Sequence, residues 1–259
     1  MFAVGLLSLS TSPDAEITAL AADLGVTPYE AGQLVRGLPS IVLRTADRAK
    51  AESLAAKLTQ RGQRAACCDL AEVISSDQMH LVRGFHLEPD ALISDNQNGT
   101  SERLAWSEVR CAIKAVHHTS AQATEVTRGR QFDLGRAVMT QGLVMTKGTE
   151  KETSSSVSQR EPVLYLFRKS GTPWLLAESQ GRYSGLGALV GPTRQGNFTT
   201  LLRLIHERLP GIPWDERLST MRARTENIST DLRGKQTGSS NTATADLFAH
   251  LIALTSSAS

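Results

Sequence analysis

The sequence predicts an α+β protein: a small two-layer β-α-α-β-α-β domain over residues 1–74, followed by a mostly antiparallel β domain with a terminal helix. Three observations carry this. In the first 74 residues, apolar side chains recur at i, i+3, i+4, i+7 (Ile17, Leu20, Ala21, Leu24; Ala51, Leu54, Ala55, Leu58), between short apolar runs of strand length. From residue 80 the period shortens to two, punctuated by Pro-Asp and Asn-Gly clusters. A last helical stripe, Phe198, Leu201, Leu202, Ile205 and Leu209, closes the pattern.

The elements follow in order. Phe2 to Leu9 is an apolar strand, and Ser12 with Pro13 opens a helix by accepting free N–H groups and pre-setting φ. Gly25 ends it. Thr27 and Glu30 form a capping box for a second helix with Ala31, Leu34 and Val35 inward, stopped by Gly37 and Pro39. Ser40 to Arg44 is a strand, Asp47 caps the third helix, and Gly62 closes it in the left-handed conformation. Arg64 to Cys68 is the third strand. Met1 to Leu9 lacks a basic n-region and runs into Ser12-Pro13-Asp14, so a strand rather than a signal peptide is expected.

The positions Glu30-Ala31, Leu34-Val35, Gly37, Pro39, Ala51-Glu52, Leu58 and Gly62 hold a spacing without a gap. This spacing resembles the carboxy-terminal domain of the bacterial ribosomal stalk protein, in the fold shared with the Clp protease adaptor. The resemblance covers residues 1–74 and implies that fold. The stalk domain contacts translation factors through a first helix rich in Lys and Arg. Here residues 15–23 contain no basic residue, so the resemblance implies the same fold put to a different contact, not ribosome binding.

Residues 75–79 are a short connection to a β-rich α+β domain over 80–220. Strands are expected at 83–88, 91–94, 162–168 and 174–178, the third of these central and the fourth running back antiparallel to it. Residues 104–118 fit strand or helix. Residues 119–160 are polar and loop-rich, with a hairpin within 131–147 and a mobile stretch at 149–159. Asn197 is placed to cap the last helix of the domain, and Pro210 to stop it. The strand-then-helix order, with Ala105-Trp106-Ser107-Glu108-Val109, is similar to bacterial pleckstrin-homology-like domains. Residues 221–244 read as flexible, and 245–255 as a short helix with Leu247, Leu251 and Leu254 on one stripe that must dock to be stable.

Composition narrows the function. At 259 residues the chain is comfortable for two domains, and 40% hydrophobic content excludes wholesale disorder. With 28 Lys+Arg against 26 Asp+Glu, a net charge of +2 gives no field to favour nucleic acid or an anionic membrane. Three cysteines cannot build a disulfide framework, which points to a reducing, cytoplasmic setting. No apolar run approaches the roughly 18 residues of a membrane-spanning helix.

Candidate chemistry reads blandly. Cys67 and Cys68 on a strand face opposite ways and cannot easily share a metal, so one buried and one half-exposed thiol is expected. Cys111 has no base beside it. His117 and His118 are adjacent, which suits metal poorly. His86, Glu88 and Asp90, with His80 nearby, are the densest set of ligand types, yet Pro89-Asp90 reads as a turn. His206 and His250 fall on helices. The loop from Gly181 to Pro192 carries Gly185, Gly187 and Gly191 without dinucleotide spacing and without opening directly into a helix, and is expected to be a flexible turn. Arg128, Arg130, Arg136, Lys147, Lys151 and Arg160 are interleaved with Glu125, Asp133, Glu150 and Glu152. No catalytic, cofactor-binding or metal residue is therefore assigned. The expectation is a non-catalytic intracellular interaction or adaptor protein with a protein partner and no cofactor. The alternatives are an enzyme assembled from distant residues, such as His86, Glu88, Cys111 and His117, or a lipid-surface reader.

Overall fold

The computed structural model describes residues 1–10, 12–95, 100–132, 146–220, 226–230 and 236–256. The chain divides into two compact units, one of residues 1–117, 160–224 and 242–259, the other of residues 118–159 and 225–241.

In the first unit, β1 (Phe2–Ser8) lies between β2 (Ser40–Thr45) and β3 (Arg64–Asp69), antiparallel to both. The helices α1 (Pro13–Leu24), α2 (Pro28–Arg36) and α3 (Arg48–Gln60) turn their apolar stripes to this sheet, so that Val4 and Leu6 pack with Ile17, Leu20, Ala31, Val35, Leu54 and Leu58. The expected β-α-α-β-α-β order is present. Most helix ends follow local chemistry. The Thr27 N–H donates to the Glu30 carboxylate at 2.9 Å, and the Glu30 N–H to the Thr27 hydroxyl at 3.3 Å. Asp47 accepts from the Lys50 N–H at 3.2 Å, and Gly62, at φ +80°, follows α3 in the left-handed region. Ser12 departs from expectation, since it makes no side-chain cap bond. The start of α1 rests on the fixed φ of Pro13 and on the acidic first turn of Asp14 and Glu16.

The other face of β1 is also buried. Ala3 and Leu7 pack with Ala66, Cys68 and the helix α5 (Thr242–Thr255), whose Leu247, Phe248, Leu251 and Ile252 enter the same core. An apolar run without alternation is what a strand buried on both faces requires. The helix α5 begins at Thr242 and is apolar nearly all round; of the stripe expected from sequence, Leu254 is instead 37% exposed. A helix buried on several sides has no single stripe.

Beyond β3 come β4 (His80–Val82), β5 (Gly84–Leu87), β6 (Ala91–Asp95) and β7 (Ser101–Ala105). They are followed by β8 (Val109–Phe132), β9 (Thr146–Arg168) and β10 (Trp174–Ala177), then α4 (Arg194–Arg208) and β11 (Trp214–Leu218). Residues 104–118 are thus strand, interrupted by one 3-10 turn at Trp106–Glu108. Strands β5, β6 and β7 form an antiparallel sheet. In the larger sheet β9 lies between β8 and β10, antiparallel to the latter. Two additions are parallel: β4 on β10 and β11 on β8. Along β9, Val163, Tyr165 and Phe167 join the core around α5, while Leu164 and Leu166 join the core under α4. One helix therefore covers each face of this sheet.

The second unit contains the far parts of β8 and β9 with β12 (Glu226–Thr230) and β13 (Gln236–Ser240). Strand β13 is antiparallel to both β12 and β8, pairing Gln236 with Ala123 and Ser240 with Thr119. Much of 119–160, expected to be loop, is therefore strand, as are 226–230 and 236–240 within the stretch expected to be flexible. Ladder hydrogen bonds to neighbouring strands supply what the polar composition does not. Residues 133–145, with Asp133 and Arg136, which carry most of the hairpin expected within 131–147, lie outside the described residues, as do the side chains of Glu125, Arg128, Arg130, Lys147, Glu150, Lys151 and Glu152. Among the described residues, no helix is long and apolar enough to cross a membrane.

Candidate binding groove

Helix α4 sets one wall of a groove in the first unit. Its cap is Thr193, whose hydroxyl accepts from the Gly196 N–H at 3.2 Å. Asn197, the expected cap, lies inside the helix and clamps the loop before it. Its Oδ1 accepts from the Gly191 N–H at 2.6 Å, and its Nδ2 donates to the Gly191 carbonyl at 3.1 Å. From this start, Gln195, Thr199, Arg203 and His206 fall at four- and three-residue steps on one exposed face. Phe198 and Leu202 lie deeper, in the core under the helix.

These residues, with Lys114 of β8, Pro162 of β9, Glu178 after β10, and Trp214 and Glu216 of β11, line a cavity of about 370 Å³. The His206 ring lies 4.7 Å from that of Trp214, tilted by 42°. The Trp214 indole N–H donates to Glu216 Oε1 at 3.0 Å, and Lys114 Nζ stands 3.5 Å from Glu216 Oε2. Burial, and then the neighbouring Glu161 carboxylate, push the Glu178 carboxyl above its ordinary range. The groove thus combines an apolar and aromatic wall with fixed charges of both signs.

The residues weighed from sequence scatter. Cys68 is buried and Cys67 half-buried, on opposite faces of β3, and all three cysteines are free. Burial pushes the Cys68 and Cys111 thiols up to about 11, which leaves them protonated and inert at neutral pH. His86 pairs with Asp95 at 2.9 Å, whereas Arg103 bridges Glu88 and Asp90. His80 tilts over Trp174 at 4.5 Å, with Nδ1 3.3 Å from Glu102. The set His86, Glu88, Cys111 and His117 is not brought together: Cys111 and His117 are buried, whereas His86 and Glu88 sit on or beside the β5–β7 sheet. Among the described residues, no group of three His, Cys, Asp or Glu converges as metal ligands. The glycine loop is not a free turn. It forms a 3-10 segment over Tyr183–Leu189 against β5, where a β-carbon on Gly185 would meet the Phe85 carbonyl oxygen at 1.9 Å.

Two polar clusters escaped the sequence reading. The Tyr165 hydroxyl donates to Asp246 Oδ1 at 2.7 Å, and the Ser76 N–H to Asp246 Oδ2 at 2.8 Å. His117 Nε2 lies 2.6 Å from the same tyrosine oxygen; since that hydroxyl gives its proton to Asp246, Nε2 is the donor. Burial, and then the Asp246 charge, hold the Tyr165 hydroxyl protonated far above neutral pH. With Tyr165 fully buried and Asp246 2% exposed, this chain anchors α5 and admits no substrate. In the amino-terminal module, Glu16 is buried against Arg61 at 2.7 Å and Gln63 at 2.9 Å, tying α1 to the end of α3. Each cluster joins residues over 45 or more positions, so no local motif announces it.

No protein-family model, curated protein or solved structure matches this chain.

Proposed function

We propose that the chain is a non-catalytic, cytoplasmic interaction protein that binds a polypeptide partner in the groove between α4 and β11. The observation that carries this reading is the groove itself: an aromatic and aliphatic wall, Trp214, Phe198 and Leu202, beside fixed charges, Lys114, Arg203, Glu178 and Glu216. Apolar anchors within a polar rim are how protein surfaces capture peptide segments. The dispersal of the histidines and the high thiol pKa values favour binding over catalysis. Three unpaired cysteines suit a reducing compartment. The likeness of residues 1–74 to a stalk- and Clp-adaptor-type module is in keeping with an adaptor role.

The test is retention of partners from native lysate by full-length protein and by a Thr199→Trp variant. Thr199 is exposed in the groove, so the indole fills it without touching the core. Deletion of residues 1–74 is a poor substitute, because Ala3, Leu7, Ala66 and Cys68 share a core with α5. A stoichiometric polypeptide held by the wild type and lost by Thr199→Trp supports the proposal. The same polypeptides held by both variants would overturn it.

A further inference from the structure

The charges of the groove are unequally satisfied. Lys114 stands beside Glu216, and Arg203 is bonded to Glu207 one turn further along α4. At the other end, the Glu178 carboxylate has no ion-pair partner among the described residues, and the neighbouring Glu161, which does not line the cavity, accepts the Ser179 N–H at 2.7 Å. Arg194 donates to the Ser179 carbonyl at 2.9 Å, and among the described residues no ion pair joins it to either carboxylate. The Glu178 end therefore carries negative charge with no ion-pair partner among the described residues, next to a wall made of Phe198, Leu202 and Trp214.

The size of the site favours a chain over a small cation. Gln195 to His206 spans eleven residue steps of helix, about 16 Å, which is the length of roughly five extended residues. Resting on the peptide-binding reading above, we infer that the groove selects a basic–apolar segment. A Lys or Arg side chain of the partner sits against Glu178, and an apolar side chain lies on the Trp214–Phe198–Leu202 wall. A bound cation supplies the missing counter-charge where water is already partly excluded. The pairs at Lys114 and Arg203 remain intact and disfavour a second basic residue at that end.

The experiment is fluorescence anisotropy on the full-length protein with two labelled heptapeptides, one of leucine and serine with a single central lysine, the other identical but with glutamate in place of that lysine. Measurements at low and at physiological salt are made on wild type, Glu178→Gln, Thr199→Trp and, as a distant control, Glu52→Gln. The expected result is binding of the lysine peptide, at least tenfold weaker binding of the glutamate peptide, and a three- to tenfold loss on Glu178→Gln. Thr199→Trp abolishes binding and Glu52→Gln leaves it unchanged. Equal binding of both peptides, still blocked by Thr199→Trp, would overturn the charge selection and leave the groove reading standing. Binding indifferent to Thr199→Trp, or equally weakened by Glu52→Gln, would overturn both, as would binding of neither peptide.

Discussion

The rings of His206 and Trp214 lie 4.7 Å apart, and they join the exposed edge of α4 to the strand β11 that follows it. The indole N–H is fixed by Glu216 at 3.0 Å, so Trp214 presents a held ring rather than a mobile one. Held aromatic rings dominate binding because little entropy is lost on contact. Trp214→Ala is therefore expected to weaken partner binding by about tenfold or more, equivalent to ~1.4 kcal/mol. Trp214→Phe, which keeps a ring, should lose less. Titration of the partner isolated by pull-down, or of the lysine peptide, measures both.

The Asp246 carboxylate depends on Tyr165 and Ser76 for its buried hydrogen bonds. Tyr165→Phe removes one donor and keeps the ring, so a loss of roughly 1–3 kcal/mol in unfolding free energy is expected. Asp246→Ala leaves both donors stranded and also loosens α5 from two sheets. Urea denaturation of the two variants should rank them in that order.

Arg61 is the main counter-ion of Glu16, which is 2% exposed. Arg61→Ala strands that carboxylate with only Gln63 beside it, and should cost on the order of 3 kcal/mol. Arg48→Ala breaks an exposed i,i+4 pair with Glu52, which solvent screens, and should leave the melting temperature nearly unchanged. Thermal melts of both variants distinguish a buried clamp from surface decoration.

Burial, and secondarily Arg110, hold the His250 imidazole below its ordinary value of 6.5. As pH falls through 6.5, the unfolded chain takes up a proton that the folded chain resists. The stability present above pH 6.5 is therefore lost progressively as pH falls towards the folded pKa. His250→Gln removes this dependence and should flatten the decline in denaturation midpoint between about pH 7.5 and 5.5. His80, lowered by burial as well, leaves a residual slope.

Gly185 lies so close to β5 that any β-carbon would overlap the Phe85 carbonyl oxygen. Gly185→Ala should be strongly destabilising, whereas Gly25→Asn keeps a residue that tolerates positive φ and should be mild. Expression and melting of the two proteins check this.

The amino-terminal module was legible because its signals are local. Thr27 and Glu30 cap each other three residues apart, and each helix writes its apolar stripe within four turns. The parallel additions were not legible, since β4 meets β10 across more than ninety residues and β11 meets β8 across about a hundred, with no turn to mark either pairing. The same limit hid the groove. Phe198 and Leu202 were visible as a helical stripe, but Lys114, Glu178 and Trp214 are assembled only by sheet register. A tryptophan just beyond the helix stop, following Ile212-Pro213, was the one available signal, because no core stripe accounts for it. Asn197 misled as a cap because Thr193, four residues earlier, has the same competence and lies at the true start.

The most direct test of a polypeptide-binding groove is a photo-crosslinking residue placed at position 199 of the full-length protein, with the same residue at exposed position 52 as the control. Irradiation in native lysate is predicted to give a defined polypeptide adduct from position 199 and none of that mass from position 52. No adduct at 199, or the same adducts from both positions, would contradict the account.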